Sequence, residues 1–579
     1  MPDAPGSLYV RPTRSGSVTT AETPARVDGR VAAATPPRRA SLPSPTGGGP
    51  RWREWLDPRR PVMAATLTAG ILHLVWGFHL ANNGGDLAAQ AAWTTFARKN
   101  PEASYNLAWY GGMHPASYSV LSPYLMGWFG IRTVAAVTGT LSATFTALLL
   151  VRFKAPMAMA AAVWAAFAIS CNSASGRVTF GLGLLFALAA VFPAFSPRGT
   201  PALRAGAMLV LGMVATLASP VAGLFLMVLA AALFLTGRRR AGLMLALGPP
   251  LVVAATSALF PFYGKQPIST TAIVLPTLAS VVAVTLCAPR SWRVIRVGAG
   301  VYLLGILLTW AIPSPIGSNV ERLALLFGGM FLIMAVARTT DRRRLAVLCV
   351  AFMVTAGWQV VKPVDDIIHT RPASATARHS PGLITALGRL GAAQGRIEVV
   401  PLRSHWEAYG LSRHFILARG WNRQVDAHRN TLFYDETLSP ATYHDWLHKW
   451  AVQYVVLPER EVDWAARHEA ALVRSGQPYL SEVWRDRHWR VYRVADPAPL
   501  ADAPATVERI SPDRMVVKVP GKASVLLRIS WSPWLSVRGH RKGCLARAGD
   551  FVRLDAPGPG RYHVQARYEL PRGTPCPDA

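Results

Sequence analysis

A chain of 579 residues with 51% apolar composition and a mean hydropathy of +0.24 is too hydrophobic for an ordinary water-soluble enzyme and too long for one domain. Its 61 Lys and Arg against 31 Asp and Glu give a formal net charge of +30. The cations fall in short clusters between apolar stretches, where they set membrane orientation. No basic and aromatic stripe follows one face, which argues against nucleic acid as a partner.

Residues 1–55 are rich in Pro, Ser, Thr, Gly and Arg. Such a segment cannot bury enough apolar surface to order itself, and no apolar core within the first 30 residues marks a signal peptide. The expectation is a disordered cytoplasmic tail, with Arg51, Arg53, Arg59 and Arg60 at the inner edge of the first span.

Eleven apolar stretches follow, near 61–80, 131–151, 155–172, 177–195, 205–219, 220–236, 241–262, 270–288, 297–312, 322–337 and 345–361. Each approaches the length that crosses a bilayer. If the N-terminus is inside, the inner loops hold Arg152, Lys154, Arg198, Arg204, Arg238 to Arg240, Arg290, Arg293, Arg296, Arg338 and Arg342 to Arg344. Beyond the first loop, the outer loops then hold only Arg177, Lys265 and Arg322. This asymmetry predicts a plasma-membrane protein, 56–361 in the bilayer, with everything after residue 361 on the outer side.

The loop between the first two spans, 81–130, is the longest polar insertion in this half. Asp86 to Lys99 has helical spacing behind Gly84-Gly85, and Pro115 to Phe129 is a second aromatic-rich segment. Both read as amphipathic helices on the outer surface. Residues 362–498 read as a mixed α/β domain: Leu383 to Leu390 and Tyr443 to Trp450 are helical, and 397–401, 454–458 and 489–494 are strands. In 499–579, the alternating runs MVVKV, SVLLRISW and YHVQARYEL between Pro/Gly turns read as a small β-sandwich. Cys544 and Cys576 lie there and could form a disulfide on the outer side, whereas Cys171, Cys287 and Cys349 fall in apolar spans.

Carboxylates are scarce. Between Pro61 and Val361 the acids are Asp86, Glu102, Glu321 and Asp341. Asp86 could deprotonate a hydroxyl or ligate a divalent cation, and equally could cap the helix it opens. Trp109-Tyr110-Gly111-Gly112-Met113-His114 could shape a sugar site, with ring faces for the sugar and His114 as donor; it could also be an interfacial anchor. Asn319, Glu321 and Arg322 open a span, where a helix start and a guanidinium suit a phosphate, and Arg177 could join them. Asp365-Asp366 reads as a solvated linker pair. The run 418–426 with His405-Trp406-Glu407 is either a polar binding surface or a buried network. His414, His428, His444 and His448 show no metal-ligand spacing, and no phosphate-binding or nucleotide-binding loop is present.

The layout resembles the GT-C superfamily of membrane glycosyltransferases, and within that range the actinobacterial membrane proteins labelled with a 6-pyruvoyl-tetrahydropterin-synthase-related domain. The shared look lies in GGDLAAQ, WYGGMHP, PSPIGSNVERL and HWEA…LARGWNRQVD…NTLFYDETL…YHDWL…VQYVVLP, across most of residues 61–498. The resemblance implies a polytopic α-helical membrane protein of about eleven transmembrane helices with an outer α/β plus β-sandwich region. It implies a polyprenyl-phosphate sugar as donor, an envelope glycan as acceptor and Asp86 as catalytic base. The single Asp86 after Asn82-Asn83-Gly84-Gly85, where many such enzymes have two adjacent acids, leaves the divalent cation open; no pterin chemistry is implied. A transporter or flippase, or a non-catalytic envelope-assembly protein, are the alternative functions.

Overall fold

The computed structural model describes residues 59–81, 84–539 and 542–577; the expected tail of 1–55 lies outside the described residues. The apolar half folds into α1 (Arg59–Val75), α2 (Gly85–Lys99), α3 (Ser122–Phe129), α4 (Ile131–Arg152), α5 (Ala158–Ala174), α6 (Val178–Phe195), α7 (Pro201–Ala218), α8 (Pro220–Leu235), α9 (Arg239–Leu259), α10 (Leu275–Cys287), α11 (Arg293–Ala311), α12 (Arg322–Val336) and α13 (Arg342–Arg378). Among the described residues, nine helices are long and apolar enough to cross a membrane, and the apolar α5 and α8 are shorter.

The side-chain distribution on α1 explains its packing. Met63, Leu67, Ile71 and Leu74 form one exposed face, while Ala65 and Ala69 are fully buried. The buried alanines meet others on α4 and α5, including Ala143, Ala147, Ala161 and Ala165. Small residues let the helix backbones approach closely, the packing that works where no water drives association. An outward apolar face of this kind suits a lipid environment and would be penalised in water.

Two expectations about boundaries change. The last helix does not stop at 361 but continues to Arg378, so 362–378 extends the bundle rather than opening the α/β region. Nor does α2 lie on an open surface. Trp93 is fully buried and Gln90 almost so, because α15 (Trp406–Leu411) packs over α2 from the other side.

The α/β region comprises α14 (Pro381–Arg389), α15, α16 (Arg423–Arg429), α17 (Pro440–Lys449) and α18 (Arg467–Arg474) around a five-stranded sheet. Its strands are β1 (Arg396–Val399), β2 (Ile416–Leu417), β3 (Val452–Pro458), β4 (Leu480–Arg485) and β5 (Trp489–Val494), in the order β2-β1-β3-β5-β4. The first three are parallel and the last two antiparallel additions. Strands β1 and β3 are buried along almost their whole length; β3 is largely apolar, whereas β1 carries the buried charges Arg396 and Glu398 beside Ile397 and Val399.

The C-terminal region holds β6 (Thr506–Ser511), β7 (Arg514–Val519), β8 (Ala523–Leu527), β9 (Leu535–Gly539), β10 (Cys544–Ala548), β11 (Phe551–Ala556) and β12 (Gly560–Ala566). They form a four-stranded antiparallel sheet, β6-β7-β12-β9, and a three-stranded one, β10-β11-β8. Met515, Val517, Val525, Leu554 and Val564 fill the space between them, as alternation requires. A Cys544–Cys576 disulfide ties the C-terminal segment to β10.

The first loop runs between these two regions and bolts them together. Ala103 bridges to Arg567, and Leu107 N–H donates to the Pro512 carbonyl of the sandwich. At the next residue, the Ala108 carbonyl accepts from Leu417 N–H on β2. Tyr105 and Leu107 enter the sandwich core, while Trp109 and Tyr110 enter the α/β core.

The disulfide spans 32 residues, so its removal frees an otherwise short-tethered end. Cys544→Ser is expected to lower the sandwich's unfolding free energy by about 2–4 kcal/mol. Protease susceptibility of the C-terminal region, read with and without reductant, checks this.

Candidate functional site

Three helix starts converge at one end of the bundle. Asp86 lies in the first turn of α2, Arg177 immediately precedes α6, and Glu321-Arg322 begin α12. Helix N-termini carry partial positive charge and unpaired N–H groups, so their convergence favours an anion. Backbone proximity brings them together. A Cβ on Gly84 would lie 3.0 Å from the Gly176 nitrogen, and Gly176 itself has φ +72°. Only glycines allow the first loop to meet the 172–177 turn this closely. Gln90 then fastens α2 to α6, its Oε1 accepting from Thr179 N–H at 3.0 Å.

The charged side chains form one network. Glu321 has 1% of its side chain exposed and takes Arg177 Nη2 at 2.9 Å on Oε1. Its Oε2 accepts from Lys362 Nζ at 3.3 Å. Arg322 Nη2 stands 3.5 Å from Asp86 Oδ2, a contact rather than a close hydrogen bond, and Asp86 is 39% exposed. Arg322 also lies over the Phe180 ring at 5.2 Å, and its Nε is buried with no hydrogen-bond partner. Asp366 adds a third carboxylate, acting on Arg177 and Lys362. Burial works against the charge on Arg177, but the Glu321, Asp86 and Asp366 carboxylates outweigh it and raise its pKa. Burial, reinforced by the Asp86 charge, holds the Tyr118 hydroxyl well above its ordinary range.

Behind Arg177 and Arg322 lies a void of 10 Å³, lined by Asn172, Ser175, Gln359 and Lys362. That is room for about one water, and the buried Gln359 Oε1 lacks a protein partner there. Above the cluster, Arg403 Nη2 of the α/β region reaches Asp365 Oδ2 at 3.1 Å. Residues 365 and 366 are therefore helix residues engaged with cations, not a solvated linker pair.

Of the residues expected to act together, Asp86, Arg177, Glu321 and Arg322 meet. Asn319 is adjacent, in the turn before α12, and its Nδ2 donates to the Ile316 carbonyl at 2.9 Å. Trp109, Tyr110 and His114 do not join them. Trp109 and Tyr110 have no exposed surface. A Cβ on Gly420 would stand 2.2 Å from the Trp109 ring, so that glycine makes room for it. The Tyr110 hydroxyl accepts from Asn422 N–H at 3.1 Å. His114 is held between the Ser104 carbonyl, 2.6 Å from Nδ1, and Ser532 Oγ, 2.9 Å from Nε2. These three join the α/β region to the sandwich, and none of them reaches the Asp86 cluster.

The run 418–426 and His405-Glu407 resolve into a buried network. Arg419 pairs with Glu398 through Nε at 2.8 Å and with Glu469. Arg423 takes Asp463 bidentately at 2.8 and 2.7 Å, and His405 stacks on Trp421 at 3.3 Å. Among the described residues, the trio with ligand atoms close enough for a metal is Cys544, Asp555 and Cys576. Both of its sulfurs are consumed in the disulfide.

A family model described as a domain of unknown function (DUF8823) matches residues 502–579. The match covers the β-sandwich and none of the Asp86 cluster. No curated protein matches the chain.

Two outcomes follow from this electrostatics. Arg177→Gln leaves the buried Glu321 carboxylate with Lys362 alone and is expected to cost about 3–5 kcal/mol. Adding Glu321→Gln is expected to restore much of the loss, read as thermal stability in detergent. For His114, burial is the main cause of a pKa lowered from 6.5 to about 4. The folded state therefore binds this proton less readily than the unfolded state. Its contribution is present above pH 6.5 and is lost as pH falls toward 4. Wild-type melting temperature is expected to drop over that interval, and His114→Gln to show a shallower drop.

Proposed function

We propose that the chain is a membrane glycosyltransferase of GT-C type, moving a sugar from a polyprenyl-phosphate donor to a hydroxyl of an envelope glycan. The observation that carries this reading is the pairing of a part-exposed carboxylate, Asp86, with the Arg322 guanidinium: Nη2 stands 3.5 Å from Asp86 Oδ2, the buried Nε has no hydrogen-bond partner, and Arg177 and Lys362 line the same small void. The chain's helical bundle and the positive charge of the opposite loops fit a plasma-membrane protein with its N-terminus in the cytoplasm and the α/β and sandwich regions outside.

In this reading the donor phosphate binds Arg322, with Arg177 and Lys362 behind it, at the start of α12. The incoming phosphate competes with Asp86 for Arg322 and leaves the carboxylate free. Asp86 then takes the proton of the acceptor hydroxyl as that oxygen bonds to the anomeric carbon. The bond from the anomeric carbon to the phosphate oxygen breaks, and polyprenyl phosphate leaves with the electron pair, its charge stabilised by the guanidinium. The outer regions would receive the acceptor.

A divalent cation fits this cluster poorly. Both Glu321 oxygens are engaged by Arg177 and Lys362, and Asp86 faces Arg322. The protein's own cations occupy the carboxylates that a metal would need, so no step runs through one.

Asp86→Asn is expected to lower transfer from a polyprenyl-phosphate sugar by about 10²–10⁴-fold with folding intact. Arg322→Gln is expected to raise the donor KM more than it lowers kcat. Transfer by Asp86→Asn at the wild-type rate would refute the mechanism.

A further inference from the structure

A cavity within the bundle belongs to neither the charged cluster nor the α/β and sandwich regions. It has a volume of 760 Å³ and a mainly apolar lining from α4, α6, α8, α10, α11 and α12. This is the size range of ligand pockets. Toward Asp86 it is closed by the buried Phe180, Tyr302 and Ala324. Its other end reaches the loops at the far end of the bundle, where the lining residues Phe153, Lys154, Arg238, Ser291, Arg293 and Arg338 are exposed.

That mouth is cationic in a specific way. Lys154 follows α4, Arg238 precedes α9, Arg293 opens α11 and Arg338 follows α12, so four separate connections each contribute one cation. None forms an ion pair with a described carboxylate. Asp341, in the same connection as Arg338, is taken by Arg344 at 3.7 Å. By contrast, the cluster at the opposite end matches Arg177, Arg322 and Lys362 with Glu321, Asp86 and Asp366. Membrane orientation asks for cations in these loops but not that one from each of four should line a single apolar cavity.

We propose that this cavity is a binding site for an anionic phosphate lipid, its phosphate among Lys154, Arg238, Arg293 and Arg338 and its hydrocarbon along Leu184, Phe225 and Phe331. The inference goes beyond the proposed transfer reaction and does not depend on it. The shared chemistry is a lipid phosphate, supplied either by a bilayer phospholipid or by a polyprenyl monophosphate.

Native mass spectrometry of the purified full chain, titrated with phosphatidylglycerol, phosphatidylcholine or a polyprenyl monophosphate, tests the site without reference to catalysis. Wild type is expected to prefer phosphatidylglycerol over phosphatidylcholine. Each mouth cation removed is expected to weaken that preference about fivefold. The quadruple variant K154Q/R238Q/R293Q/R338Q then loses it, while R198Q/R240Q/R290Q/R343Q, equal in charge but outside the lining, keeps it. Gly298→Trp, which fills the cavity, is expected to reduce binding of both phosphate lipids. Binding of either phosphate lipid at this site supports the proposal, and the tighter of the two names its source. Equal retention of phosphatidylcholine by wild type, or an equal loss in the two quadruple variants, overturns it.

Discussion

Glu321 holds a carboxylate at the start of α12 with almost no access to water, and a buried charge must be matched or it destabilises the fold. Arg177 and Lys362 match it. These partners sit immediately before α6 and on α13, far apart in sequence, so one carboxylate fixes the relative positions of three helices. Arg322, the next residue, is directed by the same turn toward α2 and meets Asp86. The ion-pair network therefore does structural work through Glu321 and leaves its more exposed edge, Asp86 and Arg322, loosely engaged. A 3.5 Å contact with an unpartnered Nε beside it can be exchanged for a better one at lower cost than the buried pair. This division between a tight interior and an exchangeable edge is what the proposed phosphate chemistry uses.

The first loop carries a second division of labour. Its N-terminal part, α2, delivers Asp86 to the bundle, held by Gly84 against Gly176. Its later part, 103–114, is threaded between the sheet of the α/β region and the β-sandwich. The α/β region also returns to the bundle through α15 over α2 and through Arg403 on Asp365. Asp86 thus lies under a segment anchored at both ends.

The apolar helices were legible because each is a long hydrophobic stretch bounded by charge, a signal that survives without knowledge of neighbours. The sandwich strands were legible for the matching reason of strict alternation, as in 514–519. Asp86, Arg177, Glu321 and Arg322 could be singled out because charges are scarce in that half of the chain. Lys362 is not singled out by the sequence, and Asp366 reads there as part of a solvated linker pair, because the apolar signal ends near 361 while the helix does not; continuing the helical period past Lys362 turns both toward the bundle. The burial of Trp109, Tyr110 and His114 is not legible in the sequence, because aromatic rings beside glycines look the same in a sugar platform, a membrane anchor and a domain interface. Their partners, Gly420, Asn422 and Ser532, lie more than three hundred residues away. For Arg419 the sequence leaves a binding surface and a buried network equally open, because its partners Glu398 and Glu469 come from separate elements, β1 and α18.

The most direct test is a structure of the full chain with a non-transferable polyprenyl-phosphate sugar bound. The account predicts the phosphate within hydrogen-bond distance of the Arg322 guanidinium, and Asp86 moved away from its present 3.5 Å contact. A phosphate bound elsewhere, with the Asp86–Arg322 contact and the Glu321 network unchanged, would contradict it.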